Sequence, residues 1–364
     1  MTMVNGDSAR GAATLGGTIT SDIHHSSFTI HHSAPGRWPH RLAVITAGAT
    51  IVLIFVGGLV TNTGSALAVP DWPTTFGHNM FLFPWSQMIG GILYEHTHRL
   101  IASTVGMLTV ALAISLWVSE PRRWVRVLGL VAVAVVIVQG VLGGLRVVLL
   151  EHGLALVHGC VAQVFLAIMV SLAAVTTPSW DAMASGRAAV ADGRLRTLAR
   201  ITVPLIYLQL VFGALLTHTG TRLDAHLLGA VAVTVAVGLL VGRVLQAHDA
   251  PVELRRPATV LVGLLCVQLT LGLGAYLWRF TAISASVPFE CGLAVLVTHR
   301  LTGTGIWATA IVLALRVLRL SGASQAMLTI KSVSNVAARS DQRERTIERT
   351  PAAGPAGPGR EVLA

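Results

Sequence analysis

Residues 90–118 read GGILYEHTHRLIASTVGMLTVALAISLWV. Glu95, His96, His98 and Arg99 crowd the opening of this stretch, and nothing from Leu100 to Val118 is charged. An apolar run of about 20 residues is what a helix needs to cross a bilayer. Ionisable groups within such a run are costly, so the cluster at its start calls for a chemical reason.

Working outward, runs of the same kind recur at approximately 42–61, 124–147, 154–176, 198–217, 225–243, 257–278 and 293–315, making eight spans with 90–118. The composition agrees: 53% of the 364 residues are hydrophobic and only 12% charged, where a water-soluble domain carries roughly a quarter. Soluble enzymes and nucleic-acid binders are thereby excluded, despite a net charge of +10. Continuous apolar runs of this length imply helices and not the alternating, roughly ten-residue strands of a membrane barrel.

Of the 26 basic residues, 25 are arginine and one is Lys331. Twenty-one fall in the tails and in alternate loops, three (Arg146, Arg222, Arg279) in the other loops, and two (Arg99, Arg300) within spans. Positive charge marks the cytoplasmic side. The expectation is a multi-pass cell-membrane protein with both termini in the cytoplasm. Residues 1–40 and 319–364 are polar and read as disordered cytoplasmic tails. Between them the reading gives an N-terminal four-helix bundle (41–177), a cytoplasmic linker (178–197) and a C-terminal four-helix bundle (198–318). Cys160, Cys266 and Cys291 are too few and too scattered for a disulfide framework or a zinc site.

The two bundles look duplicated. Span one ends GGLVTNTG (57–64) and span five ends GALLTHTG (213–220). Spans three, five and seven each hold a Gln one turn before a Gly: Gln139/Gly143, Gln209/Gly213 and Gln268/Gly272. The plain account of these pairs is helix packing, with Gly allowing close approach and Gln bonding across. An all-α membrane protein of two pseudo-symmetric four-helix bundles follows.

Every even span carries a histidine near its outer end: His98, His158, His226 and His299. One such histidine would ordinarily be a hydrogen-bonded polar residue within a bundle. Four at matched depth on alternate helices instead suggest two pairs of axial haem ligands, one pair per bundle. Arg146, Arg222 and Arg279, at outer helix ends, suit haem propionates, although ordinary snorkelling to the interface accounts for them as well. Glu95 lies three residues before His98 and shares its helix face, so a carboxylate would stand beside whatever His98 binds. An i, i+4 ion pair with Arg99 is the structural alternative. His96 points away from His98. The second bundle has no matching acid, so the first reads as reactive and the second as an electron-holding site.

The segment YEHTHRLIAS with Glu95, His98 and Arg99, the loop TNTGSALAVPDWP with Pro70, Asp71 and Trp72, the Gln-and-Gly helices and TRLDAHLLGA together resemble the haem A synthase family over about residues 40–318. The resemblance implies an eight-helix enzyme that oxidises a ring methyl of haem O to the formyl group of haem A, for cytochrome oxidase. It implies His98 and His158 at the substrate haem, Glu95 as the catalytic carboxylate, and His226 and His299 as ligands of a haem b. Haem O, membrane lipid, haem O synthase and cytochrome oxidase assembly factors are the partners to expect, nucleic acid is not, and a homo-oligomer is open. Many family members carry a cysteine pair in the first outer loop, and this chain has none there. Two other readings share some of these features: a di-haem cytochrome b that only shuttles electrons, and a transporter with a polar site between repeats.

Overall fold

The structure, a computed structural model, describes residues 37–185 and 193–348. The N-terminal tail, part of the linker and the last 16 residues lie outside them. Among the described residues, eight helices are long and apolar enough to span a membrane: α1 (Arg37–Asn62), α2 (Gly91–Ser119), α3 (Arg123–Leu149), α4 (His152–Val175), α6 (Gly193–Thr219), α7 (Leu223–Gln246), α8 (Val252–Phe280) and α9 (Phe289–Glu348). A short helix, α5 (Ser179–Ser185), precedes α6 within the stretch expected to be linker. No strand occurs among the described residues. The chain is an all-α, multi-pass membrane protein.

The helices run several residues beyond the apolar spans because their charged first turns are helical too. α6 is continuous through Pro204, and α9 differs most from expectation. Where a disordered tail is expected from residue 319, the backbone stays helical to Glu348. No proline interrupts residues 289–348, and the polar part is rich in good helix formers such as Ala, Gln, Arg and Glu.

Short connections force neighbouring helices antiparallel. α1–α4 close one four-membered ring of contacts and α6–α9 another, while α4 and α9, with α1 and α6 beside them, form the seam. The duplicated sequence becomes duplicated geometry. Gly64 and Gly220 end α1 and α6 at φ +68° and +70°, a conformation glycine adopts without strain. Thr61 and Thr217 donate to the Gly57 and Gly213 carbonyls at 2.9 Å each. At the seam, Gln163 Nε2 of α4 donates to Thr304 Oγ1 of α9 at 3.2 Å. Each of those residues lies five positions after its helix's histidine, His158 or His299, so the pseudo-twofold axis passes close to this bond.

The packed apolar core occupies one half of the molecule, the half opposite the 63–90 loop. Leu112, Leu116, Leu166, Met169, Leu172, Leu240, Leu254, Leu261 and Leu313 are all below 1% exposed. In α6 no residue after Ile206 is buried, and in α8 none after Leu261. In the second bundle the half nearer the loop is therefore loosely filled. That half contains His226 and His299.

Candidate functional site

His98, His158, His226 and His299 all lie within about the first three turns of α2, α4, α7 and α9, at the face that carries the 63–90 loop. They come together in two pairs. The rings of His98 and His158 have centroids 6.4 Å apart and are inclined at 59°. Those of His226 and His299 are also 6.4 Å apart, inclined at 73°. Two metal–imidazole bonds of about 2.1 Å in line, with about 1.1 Å from each nitrogen to its ring centre, would place the centroids roughly 6.4 Å apart. Among the described residues no cluster of three or more His, Cys, Asp or Glu side chains forms. A metal held by either pair would thus have two protein ligands and take the rest from the group that carries it, as haem iron does.

A glycine of the preceding helix backs each ring. A methyl group on Gly143, Gly213 or Gly272 would stand 3.4, 3.2 or 3.1 Å from Cε1 of His158, His226 or His299. On Gly57 it would stand 3.2 Å from Nε2 of His98; a half-turn of that ring presents the same edge as the others. The glutamines one turn earlier hold the histidine helices. Gln139 Nε2 donates to the His158 carbonyl at 3.1 Å, and Gln209 Nε2 to the His226 carbonyl at 2.9 Å. The Gln268 amide faces His299 Nε2 at 3.4 Å. The Gln–Gly element therefore does pack helices, as expected, and what it packs is the histidine layer. Gly57 completes the set without a glutamine, since Leu53 stands one turn before it; only the repeat GGLVTNTG/GALLTHTG marks it in the sequence.

Seven buried polar side-chain atoms among the described residues have no hydrogen-bond partner. Five belong to these units: Oε1 of Gln139, Gln209 and Gln268, and Nδ1 of His158 and His299. Buried polar atoms are ordinarily paired. Three of the five face a glycine of a neighbouring helix: His158 Nδ1 and His299 Nδ1 lie 3.7 Å from a methyl placed on Gly143 or Gly272, and Gln209 Oε1 lies against Gly229.

Glu95 is buried at 6% exposure, and both its oxygens are engaged. Oε2 accepts from the backbone N–H groups of Leu67 and Val69, each at 3.0 Å, and Oε1 accepts from Arg99 Nη2 at 2.8 Å. Arg99 also donates to the carbonyls of Val69, Asp71 and Thr74. The pair is thus a clasp on the 63–90 loop as well as an i, i+4 ion pair. His96, which the sequence leaves without a role, is a second fastening: its Nδ1 lies 3.1 Å from Thr75 Oγ1 and its ring packs on Phe83 at 5.1 Å.

The loop is ordered from within by Asp71, whose carboxylate accepts from the N–H groups of Phe76 and Gly77 and from the Thr74 hydroxyl. Partial burial pushes the Asp71 carboxyl up, but these hydrogen bonds outweigh it and hold its pKa below the usual value. Trp72 lies so closely against Gly144 of α3 that any side chain there would collide with its ring. Gly144 adjoins Gly143, so the loop reaches across the mouth of the first bundle beside the His158 contact. On the same face the second bundle has residues 220–222 between α6 and α7 and residues 281–288 between α8 and α9.

The three loop arginines differ. Arg146, in the last turn of α3, is half-buried; Arg222 is exposed and 3.9 Å from Asp224; Arg279 is exposed at the end of α8. Cys160, Cys266 and Cys291 are all free.

Comparison with known proteins places this geometry in a family. Residues 40–225, half of the chain, match the family described as cytochrome oxidase assembly protein. The chain belongs to this family. The matched region takes in the loop, the Glu95–Arg99 clasp and the His98/His158 pair. The chain is also 38% identical over 114 residues to a protein of Shouchella clausii named Heme A synthase, covering 30% of this chain and 35% of that one. A Heme A synthase of Alkalihalophilus pseudofirmus is 34% identical over 108 residues (29% and 35%), and one of Listeria monocytogenes is 28% identical over 187 (48% and 57%). The matched region spans about a third of the length of the first two relatives.

Proposed function

We propose that the protein is a haem A synthase, an oxidoreductase that converts a ring methyl of haem O into the formyl group of haem A for cytochrome oxidase. The observation that carries this reading is the pair of histidine couples at 6.4 Å, one beneath an anchored loop and one beneath two shorter connections. The family match over the first bundle and the names of the relatives support it.

In this reading His98 and His158 hold the iron of the substrate haem O, with Gly57 and Gly143 setting the ring positions. Arg146 faces one of the substrate's carboxylates. The 63–90 loop, fastened by Glu95, Arg99, His96 and Trp72, excludes water from above the first pair. Glu95 is the carboxylate nearest this chemistry, and its clasp on the loop keeps it in position. His226 and His299 hold a haem b, which supplies one-electron redox chemistry when bound; Arg222 and Arg279 lie at its bundle's edge. The protein sits in the cell membrane with both termini cytoplasmic and the loop outside, in keeping with the 21-to-3 basic asymmetry. Haem O synthase and other oxidase assembly factors are the partners this role calls for.

The test is extraction and chromatography of haems from cells with and without the protein. Formyl haem should appear only in its presence, and only when haem O is supplied. Bound haem without any formyl product would instead favour a di-haem electron carrier.

A further inference from the structure

Arg300 is the one position where the membrane half of α9 carries a charge beside a candidate ligand, His299. Its side chain leaves its own bundle. A methyl on Gly58 of α1 would stand 3.6 Å from Arg300 Cδ and 3.9 Å from its Nη1. The next residue back on α1 is Gly57, the glycine against which His98 rests. The guanidinium therefore lies across the seam, against the helix that backs the first histidine pair.

Among the described residues the Arg300 side chain has no hydrogen-bond or ion-pair partner. Arg99, the other arginine deep in a span, is satisfied by one carboxylate and three carbonyls. Glu95, the acid nearest the first pair, is taken up by Arg99 and two backbone amides. An arginine within a span is retained where it meets an opposite charge or a polar cavity, and the packed chain supplies no such charge here. A bound ligand with an acidic group would bring it. A guanidinium fits a carboxylate in two-pronged fashion.

We infer that Arg300, contributed by the second bundle, binds a carboxylate of the ligand held by His98 and His158 in the first. The inference rests on the haem reading above. Haem-type ligands carry two propionate carboxylates, and Arg146 of α3 and Arg300 of α9 give the first site one guanidinium for each. The first site is then incomplete without α9, which explains why a charge tolerated at some cost sits at the seam and not at a helix end.

The probe is haem O and its propionate dimethyl ester, titrated by Soret absorbance into the purified full-length protein. The wild type should bind the ester about tenfold or more weakly than the free acid, as expected for loss of charge-assisted hydrogen bonds. Arg300→Gln should weaken the acid by a similar factor and shrink the acid-to-ester ratio, and Arg300→Lys should restore part of it. If Arg300→Gln does not fold, Arg146→Gln serves: the discrimination it retains is Arg300's, and its complete loss overturns the inference. An unchanged ratio in Arg300→Gln overturns it, as does a change confined to the band that His226→Ala removes. Failure of the wild type to bind either haem would instead sink the haem reading itself.

Discussion

Glu95 joins two descriptions that the sequence could only set side by side, a carboxylate beside a ligand-type histidine and half of an ion pair. Every group that contacts its carboxylate is a donor: two backbone amides and one guanidinium. An amide in its place must turn its NH2 either on the Leu67 and Val69 amides or on Arg99. Glu95→Gln therefore sets donor against donor in a site where both side chains are 10% exposed or less. Breaking a buried pair costs about 3 kcal/mol. The expected outcome is a loop newly open to protease near Gly77, a fall in haem A yield, and the same result from Arg99→Gln. Haem A yield lost while the loop stays protected would assign Glu95 an acid–base step beyond its clasp. The sequence showed that Glu95 and Arg99 could pair and that Glu95 faced the His98 side. It could not show that the pair grips residues 67–74, because those contacts join positions 25 to 30 residues apart and depend on how the loop folds back.

At the scale of elements, the eight spans and the histidine layer were legible because both signals are local. Apolar length writes a span, and an ionisable residue within it stands out against a background that excludes charge. The Gln–Gly pattern was visible too, but its target was not, since knowing which helix a glycine faces requires the packed bundle. The end of α9 ran the other way: polarity suggested a tail, while helix propensity without a proline carried the backbone on to Glu348. The connections on the face opposite the loop were also hidden. There Glu120, 3% exposed, accepts from Arg122 Nε at 2.7 Å and Nη2 at 3.0 Å. Arg122 Nη2 also donates to the Val175 carbonyl, and Arg319 Nη2 to Asp181 of α5 at 3.3 Å. Burial pushes the Glu120 carboxyl up, but the Arg122 hydrogen bonds and charge outweigh it, so its pKa lies below the usual value. A depressed carboxyl contributes stability that is fully present above its unfolded pKa and is lost as pH falls through the folded one. Thermal unfolding in detergent should accordingly show a component of stability that is lost on acidification, and Glu120→Gln should flatten that acid limb. An acid limb of equal depth in the variant would move the effect to other carboxylates.

Over the whole molecule, one duplicated scaffold serves two unequal ends. Both bundles place an imidazole pair at 6.4 Å on glycine-backed helices. What separates them is what the connections add: residues 63–90 over the first pair, and the shorter stretches 220–222 and 281–288 over the second. A site that must admit and release a large substrate benefits from a fastened but separable cover, whereas a resident cofactor needs only its two ligands and a slot. The second pair should therefore keep its haem through purification and the first should exchange it. If this pair holds a haem, replacing His226 or His299 by Ala would take away one of its two protein ligands and should abolish or shift the low-spin absorbance of the purified protein. His98→Ala and His158→Ala should leave that absorbance in place while ending haem A formation. The measurement is the reduced-minus-oxidised spectrum of each variant at equal protein. A spectrum unaltered in both His226→Ala and His299→Ala, or one lost in His98→Ala instead, would reverse the roles of the bundles, and the loop would then cover a resident group rather than a substrate.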